Sequence, residues 1–178
     1  MTRYVLQTLF IFFSFALMTG CTSSRLDTKN LLEQESTAEA KRIATKAVYF
    51  LQKGDFSHAK VLFEKADKLG HPDAPRVLGL MYVNGDGVER DYAKAMHYFQ
   101  KAFDRGNYVA AYDIGAMYKN GEGVAKNIEK AKSYFTIAAK KEYGLAQFEL
   151  AKLYALEHNK EAFLYWARKA AKHGYHFR

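Results

Sequence analysis

The sequence predicts an all-α protein, a solenoid of about four helix-turn-helix repeats spanning residues 36–176. Two observations carry this reading: a 36-residue internal repeat, and helical spacing of the apolar positions inside it. Ala74, Leu78, Gly79, Tyr82, Gly85, Gly87, Val88, Lys94, Ala95, Phe99 and Ala102 return 36 residues later. Their counterparts are Ala110, Ile114, Gly115, Tyr118, Gly121, Gly123, Val124, Lys130, Ala131, Phe135 and Ala138. Ala146, Leu150, Ala151 and Tyr154 continue the series by another 36. A period of this length is the mark of stacked supersecondary units. Composition agrees, with only two prolines in 178 residues and abundant Ala, Leu and Lys, which lose little entropy in helices.

The elements follow in order from the N-terminus. Residues 1–20 hold one positive charge, Arg3, then an apolar stretch from Val5 to Met18 that ends in the small residues Thr19 and Gly20. This is the build of a secretory signal, too short for a membrane-spanning helix. Cys21, the only cysteine, follows at once. The segment Leu17-Met18-Thr19-Gly20-Cys21 resembles a bacterial lipobox, although Met18 stands where Leu is usual. The resemblance implies lipidation of Cys21, with no other cofactor. Thr22 after the cysteine implies the outer membrane of a Gram-negative envelope, with the folded part facing the periplasm. Residues 21–35 then read as the lipidated cysteine and a polar tether. Ser36-Thr37-Ala38-Glu39 offers a capping box for the first helix.

Four units follow, at about 37–70, 71–106, 107–142 and 143–174. In the second, Ala74, Leu78 and Tyr82 share one helix face. Asn84-Gly85-Asp86-Gly87 breaks that helix, and Tyr92, Ala95, Phe99 and Ala102 line another that ends at Gly106. Neither stripe is buried within one pair, so neighbouring pairs must stack. Small residues (Ala74, Gly79, Ala95, Ala102) permit close crossings, and Tyr82 and Phe99 fill the space between. Tyr118, Phe135, Tyr154 and Trp166 read as core in the same way. The first unit keeps Tyr49, Ala59, Phe63, Ala66 and Gly70, with Gly54-Asp55 as a shorter turn. The last keeps Ala146, Leu150, Tyr154, Ala162, Trp166, Ala170 and Gly174, with Glu157-His158-Asn159 as its turn.

These residues resemble the Sel-1-like repeat, a relative of the tetratricopeptide repeat. The motif Ala-xxx-Leu-Gly-xx-Tyr-xx-Gly-x-Gly-Val, followed by Lys-Ala, an aromatic pair and small closing residues, runs through 74–106 and 110–142. The resemblance implies a right-handed superhelix that binds proteins and catalyses nothing. The cysteine pairs of those family members linked to β-lactam binding have no counterpart here.

The residues supply no chemistry of their own. His58, His71, His97, His158, His173 and His176 match no zinc spacing, and His71 and His173 read as ordinary surface residues beside glycines. Asn84-Gly85-Asp86-Gly87 and Asn120-Gly121-Glu122-Gly123 lack the alternating carboxylates of a calcium loop. Asp113 and Glu149, 36 apart, read as adjacent surface acids. The net charge is +8, and all of the excess but Arg3 lies beyond residue 20. The basic residues are scattered beside acids, which excludes nucleic acid and leaves a solvated face or an acidic protein partner.

In helix-pair solenoids the first helices line the concave face, where protein ligands sit. Removing the packing positions leaves Val77, Leu80, Asn84, Asp113, Ala116, Asn120, Glu149 and Lys152 as the expected partner-binding set. Arg76 joins it as either a partner contact or a salt bridge, because Tyr112 and Phe148 hold the equivalent positions. The expected function is a scaffold in an envelope complex, bound to the membrane through its lipid. The alternative is a periplasmic immunity lipoprotein that neutralises an antibacterial effector. A cell-wall enzyme is the remote third reading.

Overall fold

The computed structural model describes residues 23–177, with side chains from residue 30 onward. Within them lie eight helices and no strand: α1 (Ser23–Gln52), α2 (Phe56–Lys68), α3 (Ala74–Asn84), α4 (Tyr92–Asp104), α5 (Tyr108–Asn120), α6 (Ile128–Lys140), α7 (Gly144–Leu156) and α8 (Lys160–Ala171). Every extensive helix contact joins sequence neighbours, which is the arrangement of a solenoid. The pairs α1/α2, α3/α4, α5/α6 and α7/α8 form the four units. The expected signal peptide of residues 1–20 and the expected lipidation of Cys21 lie outside the described residues. Among the described residues no helix is long and apolar enough to cross a membrane.

The first helix starts earlier than its capping box suggests. It runs without a break from Ser23, so most of the expected polar tether is helix. Ser36-Thr37-Ala38-Glu39 is interior: the Thr37 hydroxyl donates back to the carbonyls of Glu33 and Gln34. A threonine bonded in this way needs no helix end, and the same side chain that could cap serves the preceding turn. The stretch before Ala40 is largely exposed, with Leu31 and Leu32 in solvent.

Asx residues start the second helices. Asp55, Asp91, Asn127 and Asn159 accept from the amides of His58, Lys94, Lys130 and Ala162, each worth about 1 kcal/mol. Among first helices, Asn107 caps α5. His71, expected as plain surface, accepts from the Ala74 amide through Nδ1 and so serves α3, whose Asp73 makes no side-chain cap.

Small residues let the helices close on one another. Phe63, Phe99 and Phe135, the equivalent positions of three second helices, are fully buried, and truncation of such a ring costs about 3–5 kcal/mol. A Cβ on Gly79 would stand 2.6 Å from the Phe99 ring, and one on Gly115 would stand 2.7 Å from that of Phe135. Tyr82, Tyr118, Tyr154 and Trp166 are half-buried against the core. In the first unit Phe50, not Tyr49, takes the aromatic position. Its carbonyl accepts from Asp55 as that of Tyr82 accepts from Asp91, while Tyr49 is 56% exposed. One residue of slip is invisible where two aromatics adjoin.

The turns come in two kinds. In the central units the amides of Gly85 and Asp86 donate to Met81, and those of Gly121 and Glu122 donate to Met117. Gly87 and Gly123, both at positive φ, then press on the preceding unit. A Cβ there would lie 2.6 Å from Phe56 Cβ and 2.7 Å from Tyr92 Cβ, respectively. The outer units turn in three residues, through Gly54 and through His158 at φ 58°.

Candidate interaction surface

The first helices α3, α5 and α7 form one layer, and ion pairs between successive units hold it. Arg76 on α3 donates from Nε to Asp113 Oδ2 on α5 at 2.5 Å, and from Nη2 to Oδ1 at 3.3 Å. Lys119 on α5 donates to Glu149 Oε2 on α7 at 2.8 Å, and Lys152 takes the other oxygen at 3.0 Å. Asp113 and Glu149 are therefore buried links between units, 8% and 9% exposed, and not the surface acids expected. The open question at Arg76 resolves as a salt bridge.

The two acids differ in electrostatics for a visible reason. Burial pushes the Asp113 carboxyl up, and the single guanidinium of Arg76 does not offset it. Burial also acts on Glu149, but hydrogen bonds and charge from two lysines outweigh it and hold the carboxyl below its ordinary value. Beside Glu149 lies Tyr112, whose hydroxyl is pushed up to about 12, chiefly by burial and then by that carboxylate. Tyr112 packs on Phe135 and on Tyr143, with ring centroids 5.5 and 5.3 Å apart.

The structure places the rest of the expected set as follows. Val77 packs on the core between the first two units, while Leu80 and Ala116 are half-buried against the cores beyond. Asn84 and Asn120 are exposed, each donating to the acid two residues on, Asp86 at 3.0 Å and Glu122 at 3.3 Å. Lys152 is exposed apart from its bond to Glu149. The nine residues lie on one layer, and three of them reach fully into solvent. Lys119, which the sequence reading missed, completes the second bridge. Arg76–Asp113 spans the period plus one, a spacing the repeat makes findable, whereas Lys119–Glu149 spans 30 residues and follows no simple rule.

The layer of second helices has its own seams. Asp67 on α2, 6% exposed, accepts from Lys101 of α4 and from Arg105 at that helix's C-cap, each at 2.7 Å. Arg105 also donates to the carbonyls of Asp67 and His71. At the next seam Phe103, the counterpart of Asp67, meets the Tyr134 ring edge-on at 5.9 Å. At the last, Glu142 accepts from Lys169 at 2.8 Å and from the buried Gln147, with His173 at 3.7 Å. Glu142 sits at φ 59°, where the two earlier units have Gly70 and Gly106. Among the described residues no three His, Cys, Asp or Glu side chains converge to hold a metal.

The family model of the Sel1 repeat matches residues 73–107, 109–143 and 144–175. This chain belongs to the Sel1 repeat family. The first unit lies outside the matched stretches. Among solved structures, a Sel1 repeat protein from Oxalobacter formigenes is 28% identical, with a TM-score of 0.69 over 74% of this chain and 55% of its own. A protective antigen of uropathogenic Escherichia coli, with an SLR fold, is 29% identical, with a TM-score of 0.73 over 83% of this chain and 33% of its own. The Sel1 stack described here thus spans about half of one relative and a third of the other. No curated protein matches it. Sel1 repeats are protein-interaction modules, a non-catalytic role that suits a layer whose charged groups are spent on tying unit to unit.

Proposed function

We propose that this chain is a lipid-anchored envelope protein whose Sel1 stack binds a protein partner on the layer of first helices and catalyses nothing. The observation that carries the reading is the pair of bridges, Arg76–Asp113 and Lys119–Glu149–Lys152, which fix three first helices in register. A surface fixed in this way loses little side-chain entropy on binding. Leu80, Asn84, Ala116, Asn120 and Lys152 then meet the partner, with Arg76, Val77, Asp113 and Glu149 as their support. The anchor is a lipid on Cys21, left at the N-terminus by removal of residues 1–20, and it holds the chain at the outer membrane facing the periplasm. No cofactor is required beyond that lipid.

Affinity capture tests this with the full-length chain, tagged at its C-terminus and cross-linked gently in the bacterial envelope. A single stoichiometric partner, weakened by a Lys152→Glu and Asn120→Asp double variant, is the expected result. Partner identity then separates the roles: an envelope subunit makes the chain a scaffold, and a secreted toxin makes it an immunity protein. Capture that finds no partner sinks the binding reading. For the anchor, Cys21→Ala is expected to abolish fatty-acid labelling and to release the chain from membranes.

A further inference from the structure

The two edges of the stack differ in charge, and the difference points to the chemistry of the partner. One edge is formed by the links between units, where each second helix ends and the next first helix begins. Its four segments, 64–73, 100–109, 136–145 and 168–177, hold nine Lys and Arg against five acids. The turns inside the units, 53–55, 85–91, 121–127 and 157–159, hold three against six. The link edge is therefore basic and the opposite edge acidic.

Helix C-termini attract cations through the peptide dipole, so some of this bias serves the helices themselves. Two observations go beyond that. Three of the five acids of the link edge are already paired with cations, Asp67 with Lys101 and Arg105, Glu142 with Lys169 and Glu64 with Lys60, while Asp73 and Asp104, both before the third link, meet the amides of Asn107 and Gln100. Meanwhile Lys65, Lys68, Lys140, Lys141 and Lys172 are exposed and lie in no ion pair among the described residues. Lys68, Lys140 and Lys172 occupy equivalent positions at the ends of α2, α6 and α8, with Asp104 at that position in α4, so the lysines follow one another only from the third unit to the C-terminal tail.

At the C-terminal half the row gains aromatic company. Tyr175 enters after α8 as Tyr143 enters after α6, with its amide on Ala170 where that of Tyr143 is on Ala138. Its ring lies 5.8 Å from Phe148, repeating the contact of Tyr143 with Tyr112. Phe177 stacks on Phe148 at 4.6 Å and stays 36% exposed.

We infer that the link edge between the third unit and the C-terminal tail, with Lys140, Lys141, Lys172 and Phe177 at its centre, docks an acidic protein segment carrying aromatic or aliphatic side chains. Unpaired lysines supply the attraction and steer the encounter, and the aromatic row gives the segment an apolar footing. This rests on the protein-binding reading above and adds where the charge of the partner goes.

The test uses the full-length chain in detergent and three probes. One is a twelve-residue peptide with four Glu and two Phe, another is its Gln-for-Glu counterpart, and the third is phosphatidylglycerol vesicles. Fluorescence anisotropy of the labelled acidic peptide is expected to give binding that weakens steeply with salt. The Gln peptide and the Lys140→Glu/Lys141→Glu variant are each expected to bind about tenfold more weakly, and Phe177→Ala about threefold. Lys126→Glu on the opposite edge is expected to change nothing. Equal loss in Lys126→Glu would reduce the effect to net charge and overturn the proposal. Vesicles that bind more tightly than the peptide would make the edge a membrane contact and overturn it too, as would absence of peptide binding at about 1 mM. A captured envelope partner indifferent to Lys140→Glu/Lys141→Glu would sink this edge while leaving the protein-binding reading intact.

Discussion

Asp67 and Phe103 occupy the same register position in successive units, yet the seams they make have nothing chemical in common. The first is a buried acid gripped by Lys101 and Arg105, and the second is a ring packed edge-on against Tyr134. Around both, Ala66 and Ala102, Phe63 and Phe99 repeat without change. The difference teaches that the frame of small and aromatic residues fixes the stacking, while the seam positions only have to be filled and satisfied. Ion pairs there are one solution among several, because the desolvation of an acid offsets much of what its partners return.

That comparison can be broken at several points. The largest effect is expected from Asp67→Ala, which takes the acid from Lys101 and leaves Arg105 only the carbonyls of Asp67 and His71, and should lower unfolding stability by about 2–3 kcal/mol in urea titration. The triple variant Asp67→Phe, Lys101→Ile, Arg105→Lys transplants the next seam and should fall within about 1 kcal/mol of the native chain. A loss as large as that of Asp67→Ala would show the seams to be specific and not interchangeable.

On the layer of first helices, Arg76→Met should cost about 2 kcal/mol near neutral pH, and Lys152→Met less than about 1, since Lys119 still holds Glu149. The pH dependence of Arg76→Met follows from Asp113, whose carboxyl is already raised above its ordinary 3.8 by burial. A raised acid favours the folded state below the unfolded value, and that contribution is lost as pH rises through the folded one. Loss of Arg76 raises it further, so the deficit of the variant should shrink as pH falls from 7 towards 4, as read by thermal melts. The smallest effect belongs to Glu142, held down at about 2 by Lys169, Gln147 and His173. Its contribution is present above 4.5 and lost as pH falls towards 2. Melting curves of Glu142→Gln should therefore lie below those of the native chain at neutral pH and converge with them near pH 2.

What the sequence made legible was whatever repeats. The period, the paired glycines and the buried phenylalanines all announce themselves by returning after 36 residues, and the four units follow from them. What stayed hidden was whatever occurs once. Asp67 with Lys101 and Arg105, and Lys119 with Glu149, join residues 34, 38 and 30 apart, and among the described residues no second ion pair has any of these spacings, although Asn107 meets Asp73 across 34. Helix ends showed a second limit. Ser36-Thr37-Ala38-Glu39 has the composition of a cap, but Thr37 bonds to the turn before it, and only the surrounding helix decides between the two uses. At Phe50 the error was one residue, where adjacent aromatics make the register ambiguous until the turn hydrogen bonds fix it. For the interaction surface, the expected nine residues do share a layer, but the repeat makes only the Arg76–Asp113 link findable and could not reveal that Glu149 is spent on Lys119.

The glycine contacts between units carry a directionality. Gly87 seats on Phe56 and Gly123 on Tyr92, so each of these glycines leans on a helix synthesised before it. A chain that emerges amino end first therefore finds both receiving surfaces already made when these glycines arrive. Assembly can advance one hairpin at a time, like courses of brick laid on finished courses, without waiting for the carboxyl end.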